Sequence, residues 1–195
     1  STAWKDREAH RERTGELIRE ILESIPGSVA VYYPSYAMLR SIAPLCEVEG
    51  RESILQSPGL GDEERAALVG RLREAGCPRI LHAVLGGIFA EGIDLPGGVL
   101  KGVVVVGPAL PPVGLERDLL RKWCDDRYGQ GFAYAFLVPG MSKVVQAAGR
   151  VVRGPTERGL VALLGRRFGW RDYRALLPKD WEYDLGADPI AQVHR

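Results

Sequence analysis

The chain has 195 residues, a length that suits one domain with a complete hydrophobic core and leaves little room for a second. Its hydrophobic content of 46% and charged content of 26% are ordinary for a globular protein. The formal net charge of +1 excludes attraction to nucleic acid through an overall positive field, so any such contact must come from a local surface.

Cysteine usage and the N-terminus bear on the compartment. Cys46, Cys77 and Cys124 lie far apart and form no C-x-x-C pair, so neither a disulfide framework nor a metal site is expected. A sparse, odd count is typical of a reducing cytoplasm. No apolar run approaches the roughly 18 residues of a membrane span, and the polar start does not resemble a signal peptide. Because the sequence begins with Ser1 rather than Met, we expect a truncated or processed chain.

Helices and strands alternate in the predicted first half of the chain. Apolar periodicity predicts helices over residues 8–25, 36–42 and 62–75. Runs rich in β-forming residues predict strands over 28–33 and 53–56. Ser35 and Asp62 are the expected N-caps of the second and third helices, because their side-chain oxygens can accept from free backbone N–H groups.

The second half continues the alternation. Strands are predicted over residues 80–85, 101–107, 133–138 and 160–164, and helices over 115–128 and 142–152. Apolar strands alternating with helices indicate an α/β fold, in which a parallel sheet is covered by helices on both faces. We expect a single domain over residues 1–195, with a core of about 26–168, the helix 8–25 before it and a loosely held tail, 186–195.

Ligands of such sheets bind at the carboxyl ends of the strands, which directs attention to the loops after Tyr33, Leu85, Gly107 and Val138. The loop after Leu85 holds Gly86 and Gly87, followed by an acidic pair, Glu91 and Asp94, among apolar neighbours. Two glycines let a backbone approach a ligand closely, and free N–H groups can hold a phosphate. The alternative is a tight turn with solvated acids.

The segment QAAGRVVRG, residues 146–154, contains a second candidate site. Residues three and four apart share a helix face, so Gln146, Arg150 and Arg153 would converge on one side of the predicted helix. Two guanidiniums and an amide form a phosphate clamp where a phosphate is near. The alternative is a solvated basic surface at a helix end.

The sequence contains no G-x-x-x-x-G-K-[ST] phosphate loop and no acidic pair suited to magnesium beside one. No Ser/His/Asp or Cys/His arrangement follows from spacing, and His82, within a predicted strand, is expected to be a core histidine. These features make the isolated chain a poor candidate for an enzyme.

Taken together, these segments resemble the C-terminal helicase domain of the XPD/DinG family of helicase superfamily 2. Residues 29–36 (VAVYYPSY) look like motif IV, 91–94 (EGID) like motif V and 146–153, with the pattern Q-x-x-G-R-x-x-R, like motif VI. Gln56 resembles a family position between motifs IV and V. Residues 4–7 and 177–181 also look family-like, so that the resemblance covers roughly residues 4–181.

The resemblance implies a RecA-like fold that works with a second, N-terminal RecA-like domain of the same polypeptide. That domain would hold the phosphate loop, the magnesium-binding acids and, in many members, an iron–sulfur cluster. The cofactors would be ATP and Mg²⁺, neither bound by this chain alone. We infer that the partner half has been removed or lies in sequence not shown. The family also implies 5′ to 3′ movement on single-stranded DNA and, in a eukaryote, a nuclear rather than cytoplasmic location.

The roles carried over by the resemblance fall into three groups. Catalytic roles, as arginine fingers and their positioning amide, go to Arg150, Arg153 and Gln146. Nucleotide binding and coupling go to Glu91, Gly92 and Asp94. Contacts with the DNA backbone go to Ser35, Tyr36, Gly86 and Gly87.

Two alternatives remain open. The chain could be a non-catalytic RecA-like module that binds single-stranded nucleic acid or a partner protein, as the missing phosphate loop suggests. It could also be an unrelated small-molecule enzyme that uses Glu91 or Asp94 as a base.

Overall fold

A computed structural model of the chain describes residues 10–74, 76–87, 89, 99–151, 159–184 and 186. Its helices are α1 (Arg11–Ser24), α2 (Tyr36–Ile42), α3 (Asp62–Arg73), α4 (Leu115–Tyr128), α5 (Val138–Ala148) and α6 (Arg171–Arg174). Its strands are β1 (Val29–Tyr33), β2 (Glu52–Leu55), β3 (Arg79–Val84), β4 (Gly102–Val106) and β5 (Leu160–Leu164). Short 3₁₀ turns cover Ala43–Leu45 and Arg166–Gly169, and a π-helical turn covers Ala133–Leu137.

The five strands form one sheet in the order β2-β3-β1-β4-β5. All of its pairings are parallel, as the sequence predicts. The central strand β1 pairs Tyr33 with Val84 of β3 and Tyr32 with Val105 of β4. Parallel pairing brings all the carboxyl ends to the same edge of the sheet. The chain leaves every strand at that edge, so the candidate segments meet there.

Apolar residues cover both faces of the sheet, because alternate side chains of each strand point to opposite sides. On one face, Ala30 and Tyr32 of β1 pack with residues of α3 and α5, among them Leu72 and Val144. On the other face, Val29, Val31 and Tyr33 of β1 pack with residues of α1 and α2, namely Ile18, Ile21, Leu22, Met38, Leu39 and Ile42. The prediction of helices on both faces is confirmed.

The two predicted N-caps have different outcomes. Ser35 caps α2 as expected, since its hydroxyl accepts a hydrogen bond from the Met38 amide at 3.3 Å. The prediction for Asp62 is wrong, because this residue is the first of α3 and the cap is Gly61. The carboxylate of Glu64 accepts a hydrogen bond from the Gly61 amide at 2.8 Å and fixes the start of the helix in place of a capping side chain.

The predicted strand 133–138 is wrong, because this apolar run forms a π-helical turn that leads directly into α5. The loop expected after Val138 is therefore no strand end. Pro139 explains the local geometry, since it has no N–H to give to the carbonyl of Ala135 four residues earlier. The Arg117 guanidinium donates to that carbonyl instead, at 3.4 Å.

Two helix boundaries also differ from the prediction. Helix α1 begins at Arg11 rather than at residue 8, with His10 at its N-cap. Helix α5 ends at Ala148 rather than continuing to residue 152, and Gly149 follows as its C-cap. Residues 1–9, the pattern at 4–7 included, and the tail 187–195 lie outside the described residues. In the described part of the chain, no helix combines the length and apolar composition that a membrane crossing requires.

Candidate functional site

The carboxyl ends of the strands bring several sequence-predicted residues together. We use the term carboxyl edge for the residues that directly follow the strands, namely Pro34–Tyr36, Gln56, Leu85–Gly87, Gly107 and Gly165. Backbone hydrogen bonds extend the ladder into this edge, from the Leu85 amide to the Tyr33 carbonyl at 2.8 Å and from the Gly107 amide to the Leu164 carbonyl at 2.7 Å. The edge is therefore a continuation of the rigid sheet.

Gln56 joins three parts of the carboxyl edge. It is buried, with 5% of its surface exposed. Its side-chain oxygen accepts from the Val84 amide at the end of β3, and its side-chain nitrogen donates to the Tyr36 hydroxyl, both at 3.0 Å. The backbone amide of Gln56 donates to the His82 carbonyl at 2.8 Å. The side chain thereby holds the ends of β2 and β3 against the first residue of α2.

Ser35 and Tyr36, the predicted DNA-contacting residues of the first loop, are both half-buried at the start of α2. The Ser35 hydroxyl already accepts the capping hydrogen bond, but its O–H remains a donor for an external oxygen. The Tyr36 hydroxyl accepts from Gln56 and lies 3.5 Å from the Ser57 carbonyl. Tyr36 is thus held in place by neighbours at the edge.

The glycine pair after β3 forms a tight turn at the edge, closed by a hydrogen bond from the Gly87 amide to the Val84 carbonyl at 3.1 Å. A Cβ atom at Gly87 would lie 2.9 Å from the side-chain nitrogen of Gln56 and 3.0 Å from the Val84 carbonyl oxygen. Gly86 has a φ of +75°, a conformation that strains residues bearing a Cβ by about 1–2 kcal/mol. Both glycines are therefore required by the turn, for different reasons.

Lys143 of α5 is an edge residue that the sequence analysis missed. Its side chain passes over Gly86, so that a Cβ atom there would lie 2.6 Å from the Lys143 ammonium nitrogen. No pattern in the sequence places residue 143 beside residue 86, because the contact depends on how α5 crosses the end of β3.

Arg150 lies in the turn after α5, where its amide donates to the Ala147 carbonyl at 3.2 Å. Because α5 ends before Arg150, the predicted single helix carrying Gln146 and Arg150 is wrong; Gly149 ends the helix between them. Gln146 is exposed on α5, whereas Arg150 is half-buried. Gln146 and Arg150 therefore lie in different environments, although they are only four residues apart in the sequence.

Tyr32 of the central strand is buried, and the charge of Arg150 acts on it. Burial raises the pKa of Tyr32 well above its usual range, and the positive charge of Arg150 opposes this rise. The Tyr32 hydroxyl donates to the Phe89 carbonyl at 3.0 Å. Phe89 begins the segment that leads to Glu91, Gly92 and Asp94. Tyr32 thus fixes the chain just before the motif V-like residues to the central strand.

Four predicted site residues, Glu91, Gly92, Asp94 and Arg153, lie outside the described residues. Their roles stay predictions. Within the described ranges, no group of three or more His, Cys, Asp or Glu side chains is arranged to hold a metal ion. The three cysteines are free, and Cys77 is the exposed one.

His82 is a core histidine, as expected. It is fully buried, its Nδ1 lies 2.9 Å from the Tyr33 hydroxyl, and the two rings stack with centroids 5.9 Å apart. Burial lowers the pKa of His82 to about 4, so the ring is neutral near pH 7. Burial also raises the pKa of the neighbouring Cys46 thiol to about 12. The His82 ring is thus part of the core, and its buried Nε2 has no hydrogen-bond partner among the described residues.

The known proteins to which this chain is similar in sequence include several helicases. The chain is 29% identical over 175 residues to the ATP-dependent DNA helicase DinG of Photobacterium profundum, covering 84% of this chain and 24% of the relative. It is 28% identical over 186 residues to the human regulator of telomere elongation helicase 1, covering 84% and 15%. It is 25% identical over 180 residues to the XPD helicase subunit of Schizosaccharomyces pombe, covering 85% and 23%. The chain therefore spans about a quarter or less of these relatives.

Solved structures establish the fold. An XPD helicase superposes with a TM-score of 0.68 at 21% identity, over 85% of this chain and 29% of that one. The C-terminal domain of the DEAD-box protein Dbp5 gives a TM-score of 0.51 at 16% identity, over 86% and 74%. The sheet is therefore RecA-like. With the match of residues 18–184 to the helicase C-terminal domain family, the chain belongs to that family, among relatives of the XPD and DinG type.

Proposed function

We propose that this chain is the second motor domain of an ATP-driven DNA helicase that moves 5′ to 3′ on single-stranded DNA. The observation that supports this most is the match of residues 18–184 to the helicase C-terminal domain family, together with the RecA-like parallel sheet. Within the domain, the Tyr32 hydroxyl donates to the Phe89 carbonyl and so fixes the chain just before the Glu91–Asp94 segment to the central strand. The ATP site would lie between this domain and an N-terminal RecA-like domain of the same polypeptide.

The proposed role of the arginines is to stabilise charge on the γ-phosphate. Arg150 and Arg153 would reach across the domain interface as arginine fingers, and Gln146 would position that contact. An arginine suits this role because its planar guanidinium donates two parallel hydrogen bonds and remains charged. Glu91, Gly92 and Asp94 would connect the nucleotide with the DNA-contacting loops.

The proposed DNA contacts lie at the carboxyl edge. Ser35 and Tyr36 would offer hydroxyl groups, and the Gly86–Gly87 turn would offer backbone N–H groups to phosphate oxygens. Such contacts do not depend on base sequence, which suits a motor that must move along any strand. Because Gln56 fixes Tyr36 relative to the turn, these groups would move as one unit with the domain.

The remaining chemistry is assigned to the N-terminal domain. It would supply the phosphate loop and the acids that hold Mg²⁺, since neither pattern occurs in these 195 residues. An iron–sulfur cluster would also belong to that domain. Phosphoryl transfer is catalysed mainly by positioning and by charge stabilisation, so one domain alone would lack half of the required groups.

A phosphate-release assay tests this proposal. The 195-residue chain should show no ATP hydrolysis with or without DNA, and the protein that joins it to its N-terminal motor domain should show DNA-stimulated turnover. Contaminating ATPase is controlled by a variant of the joined protein without the phosphate-loop lysine. Turnover by the chain alone would contradict the half-motor assignment.

A second candidate function is a non-catalytic module that grips single-stranded nucleic acid or a partner protein. The lack of a phosphate loop in the sequence favours it. Tight binding of single strands by the chain alone that persists at high salt would support this candidate over the motor domain, because simple phosphate neutralisation weakens steeply with salt.

A further inference from the structure

Lys143 has an unusual position for a lysine on a surface helix. Its last three side-chain atoms lie within contact of Gly86, at 3.1 Å (Cδ), 3.0 Å (Cε) and 2.6 Å (Nζ) from the place of a Cβ atom. The side chain is half-buried, and α5 packs on the sheet through the adjacent residue Val144. The ammonium group therefore lies over the turn at the end of β3.

Among the described residues, no carboxylate forms a salt bridge with this ammonium group, because the cation of every salt bridge there is an arginine. Lys143 also makes no side-chain hydrogen bond in the described part of the chain. A positive charge thus lies directly beside the exposed glycine turn. Lysine binds phosphates as a compact point charge, and a glycine turn lets a phosphate approach the backbone.

We propose that Lys143 and the Gly86–Gly87 turn form a phosphate-contacting site at the carboxyl edge. This inference rests on the proposed motor function and adds a residue to it. The phosphate belongs either to the DNA backbone or to the nucleotide, both of which the proposed function brings to this edge. In either case Lys143 contacts its ligand through charge, and the end of its side chain occupies the space that a Cβ atom at Gly86 would fill.

The test uses the joined two-domain helicase with Lys143→Met, which removes the charge and keeps the length of the side chain. Lys122→Met is the matched control, because Lys122 is an exposed lysine on the outer helix α4. Binding of a labelled oligonucleotide is measured from about 50 to 200 mM salt, and binding of a fluorescent ATP analogue is measured in parallel. Lys143→Arg, which keeps the charge, should restore most of the binding.

A DNA phosphate is indicated if Lys143→Met weakens oligonucleotide binding and lowers the slope of log K against log salt by about 0.7, the value for one contact on a single strand. A nucleotide phosphate is indicated if the affinity for the ATP analogue falls severalfold and the DNA slope does not change. The proposal is overturned if Lys143→Met matches Lys122→Met in both assays.

A pair of glycine variants tests the geometry independently. Gly86→Ala and Gly50→Ala introduce a Cβ at nearly the same φ, +75° and +74°, but Gly50 has no atom within 4 Å of that position. Backbone strain is thus matched, and Gly86→Ala alone displaces the ammonium group. Gly86→Ala should therefore lose the same binding as Lys143→Met, and equal binding by the two alanine variants would contradict the placement of Lys143.

The controls separate this inference from the proposed function. If the unmodified two-domain protein shows neither DNA binding nor DNA-stimulated ATP turnover, the motor assignment fails and the Lys143 site fails with it. If the unmodified protein is active and Lys143→Met behaves as the control does, only the Lys143 site is wrong.

Discussion

The substitution Gln56→Met should destabilise the fold by removing the side chain that joins the strand ends. Methionine matches glutamine in length and can fill the buried space. It cannot accept from the Val84 amide or donate to the Tyr36 hydroxyl, the two hydrogen bonds that Gln56 makes at 3.0 Å. The Val84 amide, at a residue with 7% exposure, would be left without an acceptor.

The expected loss is about 2 kcal/mol in the free energy of unfolding. An unsatisfied buried donor costs about 1–3 kcal/mol, and the lost neutral hydrogen bond to Tyr36 adds about 0.5–1.5 kcal/mol, offset in part by burying methionine in place of an amide. For a domain of this size, each kcal/mol lowers the melting temperature by about 2–4 °C, so the midpoint should fall by about 4–8 °C.

Urea and thermal unfolding, followed by circular dichroism, measure this change. Gln146→Met is the matched control, because Gln146 is exposed on α5 and its replacement should change stability by no more than about 0.5 kcal/mol. If Gln56→Met and Gln146→Met unfold at the same midpoint, Gln56 does not hold the strand ends and the reasoning is refuted.

Two further predictions concern pH and DNA. The folded pKa of His82 is about 4, below its ordinary 6.5, so the contribution of the neutral ring to the free energy of unfolding is fully present above pH 6.5 and falls as the pH decreases. The loss by pH 5 is about 2 kcal/mol. The substitution His82→Leu should remove this pH dependence, as urea unfolding at several pH values would measure. The chain alone, with a net charge of +1, should bind single-stranded DNA weakly and with steep salt dependence, as fluorescence anisotropy would measure; tight, salt-resistant binding would argue against the motor assignment.

The sheet could be predicted from the sequence because its strands are buried on both faces. The run of valines at 103–106 and the segment VAVYY at 29–33 are apolar throughout, which only a covered parallel strand or a buried helix permits, and both are too short for a helix. The start of α2 was also predictable, because Ser35 supplies its cap from its own side chain.

The segment 133–138 could not be assigned in the same way. Its residues, AYAFLV, form an apolar run as short as the true strands, so periodicity alone gives no distinction. One contact of this segment comes from elsewhere in the chain, since the Arg117 guanidinium of α4 donates to the Ala135 carbonyl, which Pro139 cannot serve. Long-range hydrogen bonds of this kind have no local signature.

The sequence indicated which segments are candidates for the site, but not which of their side chains contact one another. The motif-like spacing singled out Ser35, Gly87 and Arg150 as candidates, and the parallel sheet brings the segments of Ser35 and Gly87 to its carboxyl edge. The hydrogen bond from Tyr32 to Phe89 and the approach of Lys143 to Gly86 both depend on tertiary packing. Contacts that arise only from tertiary packing are not marked by any regular spacing of residues in the sequence.

The central claim, that this domain supplies arginine fingers, is tested most directly by Arg153→Ala in the two-domain helicase. Single-turnover ATP hydrolysis should slow by about 10³ to 10⁵, the contribution of such arginines, while nucleotide affinity and melting temperature stay at the parent values, because the finger acts mainly on charge in the transition state. Arg166→Ala, which removes an exposed cation after β5, should hydrolyse ATP at close to the parent rate. Hydrolysis by Arg153→Ala near the parent rate would contradict the claim, and a collapse of its thermal melt would show a structural role instead.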